Sequence, residues 1–403
     1  MIPLLLPLLI FLVPPSALAL TGSTASAPIV VLVGLDGFRV DYLSRGHSPV
    51  LSNMATNGAT SLGLIPSFPT YTFPNHVTLV TGRRPQQHGI LNNTMSDPRI
   101  PDQRFRLADR NAVTNPAWWS ESFPIWVTAE RQGLRTATLF WPGSEAAIQG
   151  VQPSRWLYYQ HELNASERVN RLLSWLREDK ENLPALATIY FSQVDSAGHA
   201  GGPDSERVND AIREVDQAIG QLRAGLEELG LLQRTVFVVA ADHGMSYVPP
   251  EQVISGNQLL KGFPGVRWEW TGATSGLNLG GESEAGVLQA LTAHKQLSCW
   301  PKRDIPARLG GGNHRRIPDV VCLAQRGWSL TDRLLSFPVP GQHGFDPEEP
   351  EMHGLLLIQG PGIPRRQLPT LSNTEVYSLL CKLLGMRPEP NDGGDQLVRL
   401  LAP

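Results

Sequence analysis

The sequence predicts an α/β protein built on an open, mostly parallel sheet with helices on its faces. Three observations carry that prediction. Apolar, strand-like runs alternate with helix-like runs from Ile29 to about Met245. Three of the runs lead to a carboxylate: Ile29 to Leu35 into Asp36, Ala187 to Phe191 within four residues into Asp195, and Thr235 to Ala241 into Asp242. The clearest helix lies between the last two runs, so strand, helix and strand form a βαβ unit with both acids at one edge.

The elements follow in chain order. Residues 1–19 read as a secretory signal. Leu4 to Leu12 is an apolar block broken by Pro7, and Ala17-Leu18-Ala19 is a small-x-small cleavage pattern, although no Lys or Arg precedes the block. The block is too short and proline-rich for a spanning helix, and no second run of membrane length follows. The expectation is an exported protein without stable membrane insertion, periplasmic in a Gram-negative host and secreted otherwise. Residues 28–403 then form one domain. Pro69 to His76 precedes a short helical run, Val77 to Val80, that ends before Gly82. Arg135 to Phe140 is a strand. Asp204 to Leu229 is a helix, because Val208, Ile212, Val215, Ile219, Leu222, Leu226 and Leu229 step by three or four; Asp204 or Ser205 caps it and Gly230 closes it. From about 250 to 340 Gly, Pro and Trp are dense and strands look short, which reads as an inserted subdomain walling one side of the site. Leu355 to Ile358 is a late core strand, and Val376 to Leu384 an apolar helix that buries Cys381. Cys299 and Cys322, close in sequence, are the favoured disulfide in an exported chain.

Composition excludes some classes. Of 403 residues, 41% are apolar and 18% charged, which excludes disorder as the main state. Net charge is −3 with no long basic run, so specific nucleic-acid binding is not expected.

The chemistry rests on seven potential metal ligands: Asp36, Thr72, Asp195, His199, Asp242, His243 and His343. In an open α/β sheet, ligands gather beyond the carboxyl ends of the strands, so these distant residues converge. Mixed carboxylate and imidazole donors suit zinc or another borderline metal; seven are too many for one tetrahedral ion and about right for two. Taken alone, Asp195-x-x-x-His199 is a weak signal. Asp242-His243 is stronger, because Gly244 lets the chain turn tightly behind it. His343 sits in a glycine-rich turn. His353 reads as structural. Thr72, just before a helical run, is either a helix-capping threonine or a nucleophile that feels the positive end of the helix dipole.

Together these segments resemble the nucleotide pyrophosphatase/phosphodiesterase family of the alkaline phosphatase superfamily. The matching stretches are Gly34-Leu35-Asp36-Gly37-Phe38, Pro69 to His76, Thr81-Gly82 with His88-Gly89-Ile90, Phe140 to Glu145, Asp195 with Gly198-His199, Asp242 to Met245, and His343 to Asp346. The resemblance runs from about Val30 to Leu400 and implies an alkaline phosphatase-like fold with two zinc ions. It implies that Asp195, His199 and His343 hold one zinc, and Asp36, Asp242, His243 and the Thr72 hydroxyl the other. It implies that Asn93 holds a phosphate oxygen beside the Thr72 N–H. Phe73 and Tyr159 match the aromatic pair that sandwiches the base in nucleotide-hydrolysing members, and Tyr190 and Trp141 match pocket positions. Both of the latter can equally be strand-core aromatics. A lysine that some animal members place before Asn115-Pro116 is absent here.

The implied function is a zinc phosphodiesterase that splits small nucleotide diesters and pyrophosphates to nucleoside 5′-monophosphates through a threonyl intermediate. A choline-phospholipid phosphodiesterase on the same scaffold is the enzymatic alternative. A sulfatase would need a Cys/Ser-x-Pro-x-Arg motif, which Thr72-Phe73-Pro74-Asn75 lacks. A non-catalytic binding protein is disfavoured by the intact set of ligands.

Overall fold

The computed structural model describes residues 28–332 and 339–402; the expected signal at residues 1–19 lies outside them. In chain order the main sheet is formed by β1 (Ile29–Leu35), β2 (Ala59–Ser61), β3 (Thr136–Leu139), β4 (Arg155–Leu157), β5 (Leu186–Phe191) and β6 (Thr235–Ala240). A separate sheet follows, with β7 (Arg267–Trp270), β8 (Thr274–Asn278), β9 (Leu297–Pro301) and β10 (Val320–Ala324). The main sheet resumes with β11 (Leu356–Gln359) and β12 (Arg366–Leu368). The helices that matter for the site are α1 (Thr72–Thr81), α2 (Ala165–Glu178), α3 (Gln193–Gly201), α4 (Glu206–Glu228) and α5 (Glu375–Leu383).

The eight main strands lie in the order β12-β2-β11-β6-β1-β5-β3-β4, and only β11 opposes the others. The sheet is therefore mostly parallel, as the alternating runs predict. Every residue of β1, β5 and β6 is buried. A parallel sheet covered on both faces requires such strands, and each fully buried Val, Leu or Ile contributes roughly 1.5–3 kcal/mol. Val30 and Leu32 face a layer that contains Val77, Val80 and Trp141. Val31 and Val33 face the opposite layer, with Leu172 and Leu176 of α2 and Ile212 and Ile219 of α4.

Local signals explain the element ends. Of the two expected caps, Ser205 caps α4 by accepting from the Val208 N–H, so the helix begins at Glu206, two residues after the expected start at Asp204. Strand β3 stops at Leu139 because Phe140 turns into the left-handed region at φ 64°. The residues between β6 and β11 hold the small antiparallel sheet, ordered β7-β8-β10-β9. Cys299 of β9 and Cys322 of β10 sit opposite each other and form a disulfide, while Cys381 on α5 is free and buried. Among the described residues no helix is long and apolar enough to cross a membrane.

Register sets the site. Leu35 pairs with Phe191, and Gly34 with Ala240. The three central strands therefore end at one level, and Asp36, Asp195 and Asp242 leave from the same carboxyl edge.

Candidate metal centre and nucleophile

Two groups of ligand atoms form at that edge: Asp36, Asp242 and His243, and Asp195, His199 and His343. The first group comes from the ends of β1 and β6, the second from α3 and the turn that carries His343. Gly37 makes the crossing possible. Its φ is 67°, and a side chain there would meet the Asp195 backbone at 2.9 Å. Its N–H donates to Asp242 Oδ1 at 3.1 Å, and the Asp195 N–H donates to the Asp36 carbonyl at 3.1 Å. Gly244 serves closeness rather than turning. It lacks a positive φ, but a Cβ would fall 2.0 Å from the Glu351 carbonyl oxygen.

All three imidazoles are oriented alike. His243 Nδ1–H donates to the Gly244 carbonyl at 2.8 Å, His199 Nδ1–H to Gly341 at 2.7 Å and His343 Nδ1–H to Thr70 at 2.9 Å. Each Nε2 lone pair then faces the site, the orientation that metal-ligating histidines take from such partners. Burial lowers the pKa of His243 to about 3. Burial, then the neighbouring His243 and His199, push His343 well below its ordinary value. Both rings are neutral at pH 7. His343 Nε2 and His199 Nε2 lie 3.2 Å apart. Two lone pairs that close repel unless a cation lies between them.

The carboxylates give the same signal. Asp36 Oδ1, Asp195 Oδ1 and Asp242 Oδ2 are buried and have no hydrogen-bond partner among the described residues. Burial, then the charges of Asp242 and Asp195, raise Asp36 well above the usual carboxylate range; burial likewise raises Asp195 and Asp242. His243 Nε2 lies 3.1 Å from Asp242 Oδ2 and 3.5 Å from Asp36 Oδ1. Orphaned anionic oxygens beside orphaned nitrogen lone pairs fit a pair of divalent cations, and hard-to-borderline donors of this mixture fit zinc.

Thr72 is not a cap. Tyr71 occupies the N-cap position of α1 without a side-chain cap bond, and Thr72 is the first helical residue. Its Oγ1 lies 3.4 Å from His243 Nε2, beside the first ligand group. A network of buried amides fixes the turn before it. Asn75 Nδ2 donates to the Pro69 and Tyr71 carbonyls, and Asn75 Oδ1 accepts from the Ser67 N–H and from Asn373 Nδ2. Asn93 Oδ1 accepts from the Phe73 N–H at 3.0 Å, which leaves the amide NH2 without a protein acceptor among the described residues. The Thr72 hydroxyl and the Asn93 amide thus flank the first turn of α1, where the Phe73 N–H is taken by Asn93 and the Asn75 N–H by the Tyr71 carbonyl.

The four aromatic positions separate. Phe73 packs half-buried against Phe105 and Trp119, with ring centroids 5.7 and 6.1 Å away. Tyr159 is also half-buried, edge-on to Phe140 at 5.4 Å. Tyr190 donates its hydroxyl to Asp36 Oδ2 at 2.5 Å, so it supports a candidate ligand. Trp141 offers no pocket surface. It is 1% exposed, and its indole N–H donates to the His76 carbonyl. The reason is steric: its ring fills the space above Gly34 on β1.

His76 is the residue the sequence reading passed over. It is fully buried beneath Asp242, with Nδ1 3.1 Å from Asp242 Oδ2 and 3.1 Å from the Thr72 carbonyl. Tyr190 and Trp141 lie edge-on to its ring. The signal was present: Thr72 and His76 are four apart on a helix, hence on one face.

The small antiparallel sheet reaches the site through Tyr71. Its hydroxyl donates to the Thr274 carbonyl of β8 at 2.7 Å, and its ring lies edge-on to His343. Gly344, at φ 99°, passes against that ring.

Such a fold and such an edge define a metal-dependent phosphoesterase of the α/β class. The family model of Type I phosphodiesterase / nucleotide pyrophosphatase matches residues 30–346, and the chain belongs to that family as a nucleotide phosphodiesterase. It is 33% identical over 391 residues to an uncharacterized pyrophosphatase/phosphodiesterase of Schizosaccharomyces pombe, covering 92% of this chain and 80% of that one. It is 35% identical over 378 residues to ectonucleotide pyrophosphatase/phosphodiesterase family member 3 of Bos taurus, covering 91% of this chain but 43% of the relative. The solved structure of murine ectonucleotide pyrophosphatase/phosphodiesterase 5 superposes with a TM-score of 0.87 at 30% identity, covering 93% of this chain and 99% of the other. An inactive threonine-to-alanine variant of that murine protein, in complex with AMP, gives the same TM-score at 29% identity, covering 93% of this chain and 100% of the other.

Proposed function

We propose that the chain is an exported, two-zinc nucleotide phosphodiesterase that releases nucleoside 5′-monophosphates through a covalent intermediate on Thr72. The observation that carries this reading is the position of the Thr72 hydroxyl. It stands at the start of α1, 3.4 Å from His243 Nε2, and the next residue's N–H donates to Asn93 Oδ1. The AMP complex of the inactive murine variant supports both the nucleotide and the threonine. The disulfide between Cys299 and Cys322 supports export, since such bonds persist in oxidising compartments.

Zinc ions held by Asp195, His199 and His343 and by Asp36, Asp242 and His243 would supply the positive charge that offsets the three carboxylates, holds the diester phosphate and lowers hydroxyl pKa values. Thr72 Oγ attacks phosphorus, a Thr72–phosphorus ester forms, and the bond to the leaving alcohol or phosphate breaks as that group takes up a proton. Water then attacks the same phosphorus, the Thr72 ester breaks, and Thr72 recovers its hydroxyl. The Asn93 amide and the Thr72 N–H hold a non-bridging oxygen in both steps. A neutral amide matches a diester phosphate, which bears one negative charge. Phe73 and Tyr159 stack on the base, a contact of roughly 1–3 kcal/mol.

The test combines substitution with stereochemistry. Thr72→Ala is expected to lose turnover of a nitrophenyl nucleoside 5′-phosphate while staying folded, and Thr72→Ser to keep part of it. The wild-type enzyme is expected to hydrolyse a chiral thiophosphate diester with net retention, because two in-line displacements each invert phosphorus. Net inversion would demote Thr72 to a ligand or a structural residue. Faster release of phosphocholine from a lysophospholipid than of AMP from a dinucleotide would shift the substrate class.

A further inference from the structure

Arg168, on the first turn of α2, is only 1% exposed, yet among the described residues no carboxylate pairs with it. Burying a cation without a counter-ion costs several kcal/mol. A residue that merely filled space there would be aliphatic. The guanidinium is spent on a specific set of acceptors instead. Nε–H donates to the Leu163 carbonyl at 3.0 Å, Nη1–H to the Tyr190 carbonyl at 2.8 Å, and Nη2–H to Ser192 Oγ at 3.4 Å. Its Cζ lies 5.4, 5.5 and 5.9 Å from the ring centroids of Phe140, Tyr159 and Tyr190.

These contacts converge on Tyr159. Ser192 Oγ, which accepts from Arg168, also lies 3.3 Å from the Tyr159 hydroxyl. Leu163, whose carbonyl Arg168 holds, ends the same loop that carries Tyr159. Phe140, edge-on to Tyr159, is also under the guanidinium. One planar fork therefore fixes the loop, the hydroxyl and one side of the ring, while the ring itself stays half-buried. Only Arg has five donors in one rigid plane to do this.

We propose that Arg168 is a positioning residue that holds Tyr159 in the orientation required for a nucleobase, and so sets the preference for base-bearing diesters over small ones. The inference rests on the reading above that Tyr159 stacks on the base. It assigns Arg168 no contact with the substrate and no part in bond making.

The experiment compares two diesters on the zinc-loaded enzyme: a nitrophenyl nucleoside 5′-phosphate and bis-nitrophenyl phosphate, which has no base. Arg168→Met is expected to raise KM for the nucleoside ester roughly ten-fold, the scale of one weakened stacking contact. The kcat on both substrates and KM for the base-free diester are expected to stay within about two-fold. Arg168→Lys keeps the charge but not the fork, and should fall between. Ser192→Ala, which removes no buried charge, should reproduce the selective rise at smaller size, so the proposal remains decidable if Arg168→Met does not fold. Combined with Tyr159→Ala, Arg168→Met should add little, because both act through one ring. Equal losses on both diesters, no loss in folded Ser192→Ala and Arg168→Lys, or full additivity with Tyr159→Ala would overturn it. If Tyr159→Ala itself fails to separate the two diesters, the stacking reading fails first.

Discussion

At the scale of single residues, the site depends on groups that hold ligands as much as on the ligands. Tyr190 gives its hydroxyl to Asp36, and among the described residues no other side chain bonds that carboxylate oxygen. Tyr190→Phe removes one oxygen atom from a packed wall. Outer partners of metal ligands are worth 10–100-fold in metal affinity, so this variant should lose metal to a chelator at roughly ten-fold lower concentration than wild type, read by elemental analysis after dialysis. Unchanged retention would show that Asp36 is oriented by its backbone alone. The carboxylate and imidazole positions were legible from the sequence because each follows a strand end, a helix turn or a glycine-rich turn, and the structure gathers those six in two groups with Thr72 beside one of them. The support layer was not. A buried Trp and a pocket Trp have the same one-letter code, and only the packing of Trp141 over Gly34 decides between them.

At the scale of elements, one ion network joins the segment before β10 to the loop after Asn93. Arg315 donates to both Asp97 oxygens, and Arg316 Nε–H donates to Asp97 Oδ2 at 2.5 Å, with both Asp97 and Arg316 buried. Burial alone would raise the Asp97 pKa, but the hydrogen bonds from Arg315, the Arg99 N–H and Arg316 pull it down to about 2. A carboxylate whose folded pKa lies below its ordinary value of about 3.9 stabilises the fold above that pH. That contribution is lost as pH falls from about 4 through about 2. Asp97→Asn should therefore lower stability by about 3–5 kcal/mol at pH 7, since it strands Arg316 without its closest partner. The deficit should shrink as wild type is titrated towards pH 2, and urea melts at several pH values check both. A constant deficit would assign the loss to packing. This network was invisible in the sequence, where Asp97 and Arg316 lie in unrelated loops. The strands β1, β5 and β6 were legible because full burial leaves uninterrupted apolar runs. The three-residue strands β2 and β12 were not, since so short a run carries no period.

At the scale of the molecule, two buried carboxylates, Asp36 and Asp242, and the half-buried Asp195 gather at one sheet edge. Removing metal with a chelator should abolish hydrolysis and lower Tm, and two equivalents of zinc should restore both. A metal-free preparation with full activity would end the two-zinc reading. The order of the ligands along the chain has a consequence for how the protein is made. Asp36, Asp242 and His243 have all been synthesised three residues after β6 ends, whereas Asp195 and His199 wait for His343, beyond the whole small antiparallel sheet. A chain emerging from its start thus presents one finished ligand group and one that lacks a donor. The second group closes only after the disulfide-bearing sheet has been made, so a chain arrested or clipped before His343 holds one group of three donors and one of two.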